Sequence, residues 1–194
     1  MKNTNQDNGF EYMLKFAEAW ATVQHHGQMY GDEPYLCHLQ DVYFWADDFV
    51  ERDPSSFEPT HDGQVALIAS WLHDTLEDCE DVNIPMLIHF FGDEVADVVD
   101  RVSTVRFCPE TGRKGKNRKE RHAWTYPRIR ENKIAVFVKL CDRIANTSNC
   151  VAEQSDLLKM YKKEYPGFRE ALFVEGEYEE LWDELDELYK CNLP

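Results

Sequence analysis

The feature that most constrains this chain is an apolar run that ends abruptly in groups able to bind a metal ion or to move protons. Residues 65–78 read VALIASWLHDTLED. Their apolar side chains recur three and four positions apart, which predicts a helix with one buried face. These side chains are Val65, Ile68, Ala69, Trp71, Leu72 and Leu76. We expect the rest of the chain to be arranged around this helix.

Four polar groups close the run, and they are His73, Asp74, Glu77 and Asp78. On a helix, His73 and Asp74 would project about 100° apart, so both could reach an ion lying between them. Glu77 and Asp78 follow one helical turn later along the same two edges. A carboxylate that follows an apolar stretch is expensive to bury without a partner. The simplest partner is a metal ion.

A second His-Asp pair, His61-Asp62, has a different context. It follows Pro59-Thr60 and precedes the apolar run. We interpret Asp62 as a helix N-cap and His61 as a loop residue, because Asp is a preferred capping residue.

Composition limits the classes of protein that the chain can belong to. With 194 residues, 43% of them hydrophobic, it can bury one sizeable core, and we predict a single domain over residues 1–194. It has no apolar stretch of about 18 residues, and its polar start lacks the apolar segment of a signal peptide. We therefore expect a cytoplasmic protein that does not contact a membrane. The six cysteines, at positions 37, 79, 108, 141, 150 and 191, form no CxxC pair and are expected to be reduced thiols.

Charge is distributed unevenly along the chain. The formal net charge of −16 argues against binding of duplex nucleic acid. Between positions 101 and 139, however, the sequence contains 12 Lys and Arg residues and only three acidic residues. This basic segment suits a small polyanion such as a phosphorylated nucleotide. The alternative is a solvated helix face, which is what charge runs usually are.

Helical periodicity extends over most of the chain and predicts an all-α fold. We expect a helix from about Phe10 to His26-Gly27, another from Pro34 to Asp53, and short helices on either side of Gly92. A basic helix over 117–133 and an apolar helix over 134–149 follow. The final third is expected to hold two or three amphipathic helices with acidic exposed faces.

Three of the apolar helices carry metal-ligand residue types near an end or beside the apolar face, and these residues are His38, His73, Asp74 and Asp142. Together they would supply two imidazoles and two carboxylates. This mixed set suits Mn²⁺, Fe²⁺, Co²⁺, Ni²⁺ or Zn²⁺ better than Ca²⁺ or Mg²⁺, which prefer oxygen ligands. Taken alone, His38 would more often be a hydrogen-bonded core histidine than a ligand.

At this point the sequence resembles a known family, the HD-domain metal-dependent phosphohydrolases, and within it the (p)ppGpp hydrolases of the RelA/SpoT type with their stand-alone small relatives. Four blocks in the family's order carry the resemblance across about residues 10–150, and they are EPYLCH (33–38), HDTLED (73–78), FGDEVADVV (91–99) and VKLCDRIAN (138–146). The resemblance implies a single all-α HD-domain helical bundle, here with additional C-terminal helices over 151–194.

The resemblance also implies roles for particular residues. It makes His38, His73, Asp74 and Asp142 the ligands of one divalent ion, usually Mn²⁺ in this branch. Glu77 and Asp78 match the pair that orients and activates the attacking water, and Asn146 matches a residue of the nucleoside pocket. We further predict that Tyr30 stacks on a purine. The predicted contacts to the substrate phosphates are Arg106, Lys114, Lys116, Arg118 and Arg143.

The implied activity is guanosine-3′,5′-bis(diphosphate) 3′-pyrophosphohydrolase. Relatives carry an Arg-Lys pair before the EPYLCH block, whereas residues 28–33 here read QMYGDE and contain no Lys or Arg. Two other substrates therefore stay open: NADPH losing its 2′-phosphate, and a nucleoside monophosphate. A nucleotide-binding regulatory module without turnover is a further alternative. A homo-oligomer formed through the acidic terminal helices is compatible with each of these.

Overall fold

The chain is described here from a computed structural model, which covers residues 4–53 and 61–190, with side chains from Gly9 onward. The described residues form helices joined by short connections. The helices are α1 (Thr4–Gln24), α2 (Tyr35–Arg52), α3 (His61–Leu72), α4 (Thr75–Asp78), α5 (Ile84–Phe91), α6 (Asp93–Val102), α7 (Arg118–Arg130), α8 (Lys133–Ala152), α9 (Leu157–Leu172) and α10 (Glu179–Lys190). The predicted all-α fold is confirmed.

A small hairpin lies between α1 and α2. Its strands are β1 (Met29–Tyr30) and β2 (Glu33–Pro34), paired antiparallel with Tyr30 opposite Glu33. Gly31 occupies the turn with φ of +61°, a left-handed conformation that glycine adopts without steric cost. The hairpin places Tyr30 beside the first turn of α2.

Asparagine side chains begin three of the helices. Asn83 accepts a hydrogen bond from the Met86 amide, and Asn117 accepts one from the Glu120 amide. Asn132 accepts bonds from two amides at the start of α8. Each cap satisfies amides that a helix leaves unpaired in its first turn. Gly92, with φ of +88°, separates α5 from α6 as expected.

The core is built around α3 and α8. Nine of the 12 residues of α3 are buried, from Gly63 to Leu72, and α8 buries Phe137, Leu140 and Ile144 completely. The Phe137 ring lies 5.5 Å from that of Phe49 on α2. Residues of α9 and α10 belong to the same buried cluster; they are Phe168, Leu172, Leu181, Trp182 and Leu185. The acidic C-terminal helices thus cover this core with their apolar faces.

The predicted single helix over 65–78 is wrong in one respect, because it is broken after Leu72. Side chains compete for the carbonyls at this end of α3. Thr75 Oγ1 donates to the Leu72 carbonyl at 2.7 Å, and Ser70 Oγ donates to the Leu67 carbonyl at 2.8 Å. His73 and Asp74 therefore lie in a turn between α3 and α4, where their directions are set by the turn rather than by helical geometry.

The structure also describes the second His-Asp pair, five of the cysteines and the hydropathy of the helices. His61 and Asp62 lie within the first turn of α3 and not before it, and Asp62 pairs with Lys133 at 2.8 Å. Pro59, Thr60 and Cys191 lie outside the described residues. The other five cysteines are free thiols. Among the described residues, no helix has the length and hydropathy that crossing a membrane requires.

Candidate metal centre

Two histidines and an aspartate converge from separate parts of the chain. His38 lies in the first turn of α2, and His73 and Asp74 lie in the turn after α3. One ligand atom from each falls within 4.8 Å of the others. Asp74 Oδ2 is 3.0 Å from His73 Nε2 and 3.4 Å from His38 Nε2. These atoms are close enough together to share one ion.

Asp142 approaches the same point from the middle of α8. Its Oδ1 atom lies 3.6 Å from His38 Nε2 and 3.9 Å from His73 Nε2. The side chains of His38 and His73 are 2% and 1% exposed, and that of Asp142 is 9% exposed. Asp142 therefore lies beside the cluster of His38, His73 and Asp74, whose ligand atoms all lie within 4.8 Å of one another. Their role as ligands stays a prediction.

The hydrogen bonding of His73 tests whether a cation fits there. Its Nδ1 atom lies 2.8 Å from the Ser70 carbonyl, which can only accept, so Nδ1 carries a proton. In the neutral ring, Nε2 then presents a lone pair. This nitrogen is buried and makes no hydrogen bond, although Asp74 Oδ2 is 3.0 Å away. A lone pair facing a carboxylate oxygen needs a cation or a proton between them, and the residues present therefore fit a metal ion.

The electrostatics of the cluster favour the charge states that a metal requires of the acids. Burial disfavours the charged carboxylate of Asp74, yet the imidazoles of His73 and His38 hold its pKa well below the usual range. Burial lowers the pKa of His73, but the charges of Asp74 and Asp142 outweigh burial and raise it to about 9. A bound cation would replace that proton.

A buried lysine, which sequence reasoning missed, contacts the cluster. Lys139 Nζ lies 2.7 Å from Asp142 Oδ2, on the carboxylate oxygen that does not face the histidines. Burial opposes a charge here, but the carboxylates of Asp142 and Asp74 raise the pKa of Lys139 above its ordinary value. The signal available in the sequence was a lone lysine inside the apolar start of α8, three residues before Asp142.

The predicted catalytic pair lies beside the cluster. Glu77 Oε2 accepts a hydrogen bond from the Thr104 amide at 2.9 Å, which fixes its carboxylate. Asp78 is held by Tyr35, whose hydroxyl also lies 2.6 Å from Asp74 Oδ2. Burial, together with the charge of Asp74, raises the pKa of Asp78. Tyr35 was not predicted as a site residue, although it stands in the Pro-Tyr block.

A cleft of about 180 Å³ opens from the cluster. Four of the predicted substrate-binding residues line it, namely Tyr30, Arg118, Arg143 and Asn146. Further lining residues that the sequence did not single out are Tyr35, Thr104, His122, Thr125, Tyr126, Lys139 and Tyr161. Tyr161 comes from α9, so a helix from which no chemistry was inferred contributes to the wall.

The remaining predicted phosphate contacts lie away from the cleft wall. Lys114 and Lys116 are exposed in the loop before α7 and do not line the cleft. Arg106 is half exposed and donates to the Glu77 carbonyl at 3.0 Å. It stands 4.0 Å from Asp78 Oδ1, at the edge of the site. Contacts of these three residues with a substrate stay a prediction.

Two guanidinium groups line the cleft. The Arg143 guanidinium is 5% exposed and lies between the rings of Tyr161 and Phe168, at 4.7 and 4.8 Å from their centroids. Arg118 pairs with Glu164 of α9 at 2.8 Å. Arg143 Nη1 is 3.5 Å from the same carboxylate but makes no hydrogen bond. This wall therefore presents donors that an anion can engage.

The second His-Asp pair lies in a different place. His61 and Asp62 line a separate cleft together with Asp93, Glu94 and Asp97. The His61 side chain is 63% exposed and contacts Glu94. No part of this pair reaches the buried cluster, which agrees with its separation from His73 and Asp74 at the level of sequence.

Fold and site together define an all-α bundle with a buried His-Asp cluster between α2, α3 and α8. No protein-family model matches the chain, and no curated protein matches it significantly in sequence. Among solved structures, one described as a metazoan orthologue of SpoT that hydrolyses ppGpp and plays a role in starvation responses superimposes with a TM-score of 0.68. The two are 18% identical, and the match covers 92% of this chain and 94% of that one. The chain therefore shares its all-α fold with that ppGpp-hydrolysing protein.

Proposed function

We propose that this chain is a metal-dependent phosphohydrolase acting on a small phosphorylated nucleotide. The observation that carries the proposal is the convergence of His38, His73 and Asp74, with Asp142 beside them, at a cleft that two further carboxylates and two guanidiniums also line.

In this proposal the two imidazoles and two carboxylates hold one divalent transition metal, with Mn²⁺ as the first choice. Such an ion acidifies a water molecule and stabilises charge on a phosphoryl oxygen when it is bound. Lys139 keeps the second oxygen of Asp142 neutralised, which orients the first oxygen toward the histidines. The Ser70 carbonyl accepts a hydrogen bond from Nδ1 of His73 and so fixes the orientation of that ring.

Proton transfer is assigned to the pair beside the cluster. Asp78 is the stronger base of the carboxylates whose pKa shifts are resolved there, because burial and the charge of Asp74 raise its pKa. The Tyr35 hydroxyl lies 2.6 Å from Asp74 Oδ2 and 2.9 Å from Asp78 Oδ2, and so keeps the base at a fixed distance from the ligand. Glu77, held by the Thr104 amide, orients the attacking water from the other side.

We assign stabilisation of the negative charge on the departing group to the two guanidiniums that line the cleft. Arg118 and Arg143 lie where a second phosphate, or the oxygen of a leaving group, can accept hydrogen bonds. Arg143 is already packed between two rings and loses little side-chain freedom on binding. Glu164 holds Arg118 in place, since it accepts from both Nε and Nη2 of that residue.

For the substrate we propose guanosine-3′,5′-bis(diphosphate), cleaved at its 3′-pyrophosphate. The similarity in fold to a protein described as hydrolysing ppGpp supports this choice, as does the match of Asn146 to the family's nucleoside pocket. A second candidate is a nucleotide with a single reacting phosphate, such as NADPH at its 2′-position or a nucleoside monophosphate. Two specific observations favour it. The hairpin segment over residues 28–33 contains no Lys or Arg, and the cleft has a small volume.

The test is a product screen. Purified protein with Mn²⁺ is mixed with ppGpp, NADPH and nucleoside monophosphates, and released pyrophosphate and phosphate are measured separately. Release of pyrophosphate from ppGpp supports the first candidate, and release of phosphate from the others supports the second.

The two His-Asp pairs provide a matched control for this screen. His73→Gln is expected to abolish turnover, whereas His61→Gln, which changes the same residue type outside the cluster, is expected to leave it unchanged. Tight nucleotide binding without any product would instead indicate a regulatory module.

A further inference from the structure

Tyr30 occupies the side of the cleft where the family resemblance places the nucleoside. Its ring stacks on that of His38, with centroids 4.6 Å apart and planes 9° from parallel. The ring of Tyr35 meets it edge-on at 6.0 Å. One face of Tyr30 is thus already covered by a metal-ligand candidate.

The Tyr30 hydroxyl also engages the polar group that a nucleoside would use. It donates a hydrogen bond to Asn146 Oδ1, and the amide nitrogen of Asn146 donates back to the Asp142 carbonyl at 2.9 Å. The side chain of Asn146 therefore has partners for both ends of its amide. A ligand can donate to the Oδ1 lone pair that Tyr30 uses only after Tyr30 has left.

The volume that remains is small for a nucleotide. The cleft measures about 180 Å³, whereas pockets for drug-sized ligands span about 300–1,000 Å³. A phosphate with a pentose fits the lower volume, while a purine base needs additional space. The only bulky side chain that the hairpin contributes to the cleft wall described here is Tyr30.

The hairpin that carries Tyr30 is built to move at modest cost. Each strand has two residues, and an isolated two-stranded pairing is only marginally stable. Gly31 follows Tyr30 directly with φ of +61° and has no neighbouring atom that would meet an added Cβ. The hairpin is held at its base, where the Tyr35 amide donates to the Gln28 carbonyl at 3.0 Å.

We propose that Tyr30 determines specificity in this cleft by acting as a gate: its side chain must leave His38 and Asn146 before a nucleobase can enter. The gate favours ligands whose organic part is no larger than a sugar phosphate and penalises the same ligand when it carries a base. This inference rests on the proposed function and deepens it. It reverses the expected stacking role of Tyr30, because the ring opposes the base instead of supporting it.

Binding of two probes tests the gate. Guanosine 5′-monophosphate and ribose 5-phosphate differ by the base alone, and their dissociation constants are measured by calorimetry with Mn²⁺-loaded protein. Ring stacking and one hydrogen bond hold the gate closed, so Tyr30→Ala is expected to tighten guanosine 5′-monophosphate on the order of 10- to 100-fold. Ribose 5-phosphate is expected to change less than about threefold, because it does not need the gate to open.

Two further variants separate bulk from hydrogen bonding. Tyr30→Phe keeps the ring and removes only the bond to Asn146, so its gain is expected to be about fivefold. Tyr12→Ala removes a tyrosine that is 75% exposed on α1 and is expected to change neither constant. Weaker or unchanged nucleotide binding by Tyr30→Ala would overturn the gate, and weaker binding would restore the stacking role.

The outcome is distinguishable from failure of the proposed hydrolase. If neither wild type nor variants release phosphate or pyrophosphate, the hydrolase fails, while a tighter base-dependent affinity in Tyr30→Ala still supports the gate. If nucleotides are hydrolysed but Tyr30→Ala binds guanosine 5′-monophosphate no more tightly than wild type, the gate fails and the hydrolase stands.

Discussion

Substitution of Asp142 tests metal binding and folding together, and a second substitution at Lys139 separates the two effects. One oxygen of Asp142 faces the two histidines, and the other lies 2.7 Å from Lys139 Nζ. Asp142→Asn keeps the shape of the side chain but removes the charge from both contacts. The variant should therefore lose the metal and also leave the Lys139 ammonium without its carboxylate.

The two losses have different sizes and different dependence on metal. Breaking a buried ion pair costs about 3–5 kcal/mol. The lower end applies here, because the Lys139 side chain keeps 18% of its surface exposed and the repulsion between Asp142 and Asp74 is relieved. At a Mn²⁺ concentration about 100 times its dissociation constant, wild type gains a further ~3 kcal/mol that the variant does not. The expected deficit is thus about 3 kcal/mol without metal and about 6 kcal/mol with it.

Urea unfolding at several Mn²⁺ concentrations measures both terms, and metal analysis after desalting measures occupancy. The double variant Asp142→Asn/Lys139→Met removes the unpaired ammonium, so it should recover most of the metal-free deficit without recovering the metal. This control distinguishes loss of a ligand from general misfolding.

The reasoning is refuted if Asp142→Asn retains one equivalent of Mn²⁺ with wild-type affinity. In that case Asp142 is not a ligand, and its buried position serves the ion pair with Lys139 alone. Equal stability of the single and double variants without metal would refute the assignment of the ion pair as a contributor to folding.

Three further outcomes are expected. Glu77→Gln should keep the metal, because Glu77 is not in the cluster, and should lower kcat by about 100- to 10,000-fold in the product screen; wild-type turnover would remove it from the catalytic pair. Arg118→Met should lower kcat/KM, since Arg118 is assigned to a second phosphate or to the oxygen of the leaving group, and an unchanged kcat/KM would contradict that. Burial lowers the pKa of His122 to about 4, so folding leaves this ring neutral where the unfolded chain binds a proton. Stability should therefore fall, on the order of 2 kcal/mol, as pH drops from about 6.5 to 4, and His122→Phe, which keeps the stack on Tyr126, should flatten this decline in urea titrations.

Local pattern was sufficient for the helices, whereas the metal-ligand set that it indicated stays a prediction. The periodicity around Val65, Val98 and Phe137 predicted buried helical faces, because three-and-four spacing is a property of the chain itself. His38, His73, Asp74 and Asp142 were singled out since each is a metal-ligand residue type at the edge of an apolar segment. The all-α fold followed from the same evidence.

Local pattern was insufficient wherever two side chains compete for one partner. The break after Leu72 depends on hydroxyls and an imidazole that take helix carbonyls, and similar residues elsewhere leave helices intact. In the sequence, Lys139 is one more basic residue at the end of the basic segment. Only the structure shows that its ammonium contacts Asp142.

What the sequence by itself determined is therefore which helical faces are buried, because burial follows from residue type and from spacing along one helix. Only the tertiary structure decided how the cleft is closed and lined. Tyr35 reaches Asp74 across 39 positions, and Tyr30 reaches Asn146 across 116. Contacts at such separations arise from the packing of α2 against α3 and α8, and no window of neighbouring residues contains them.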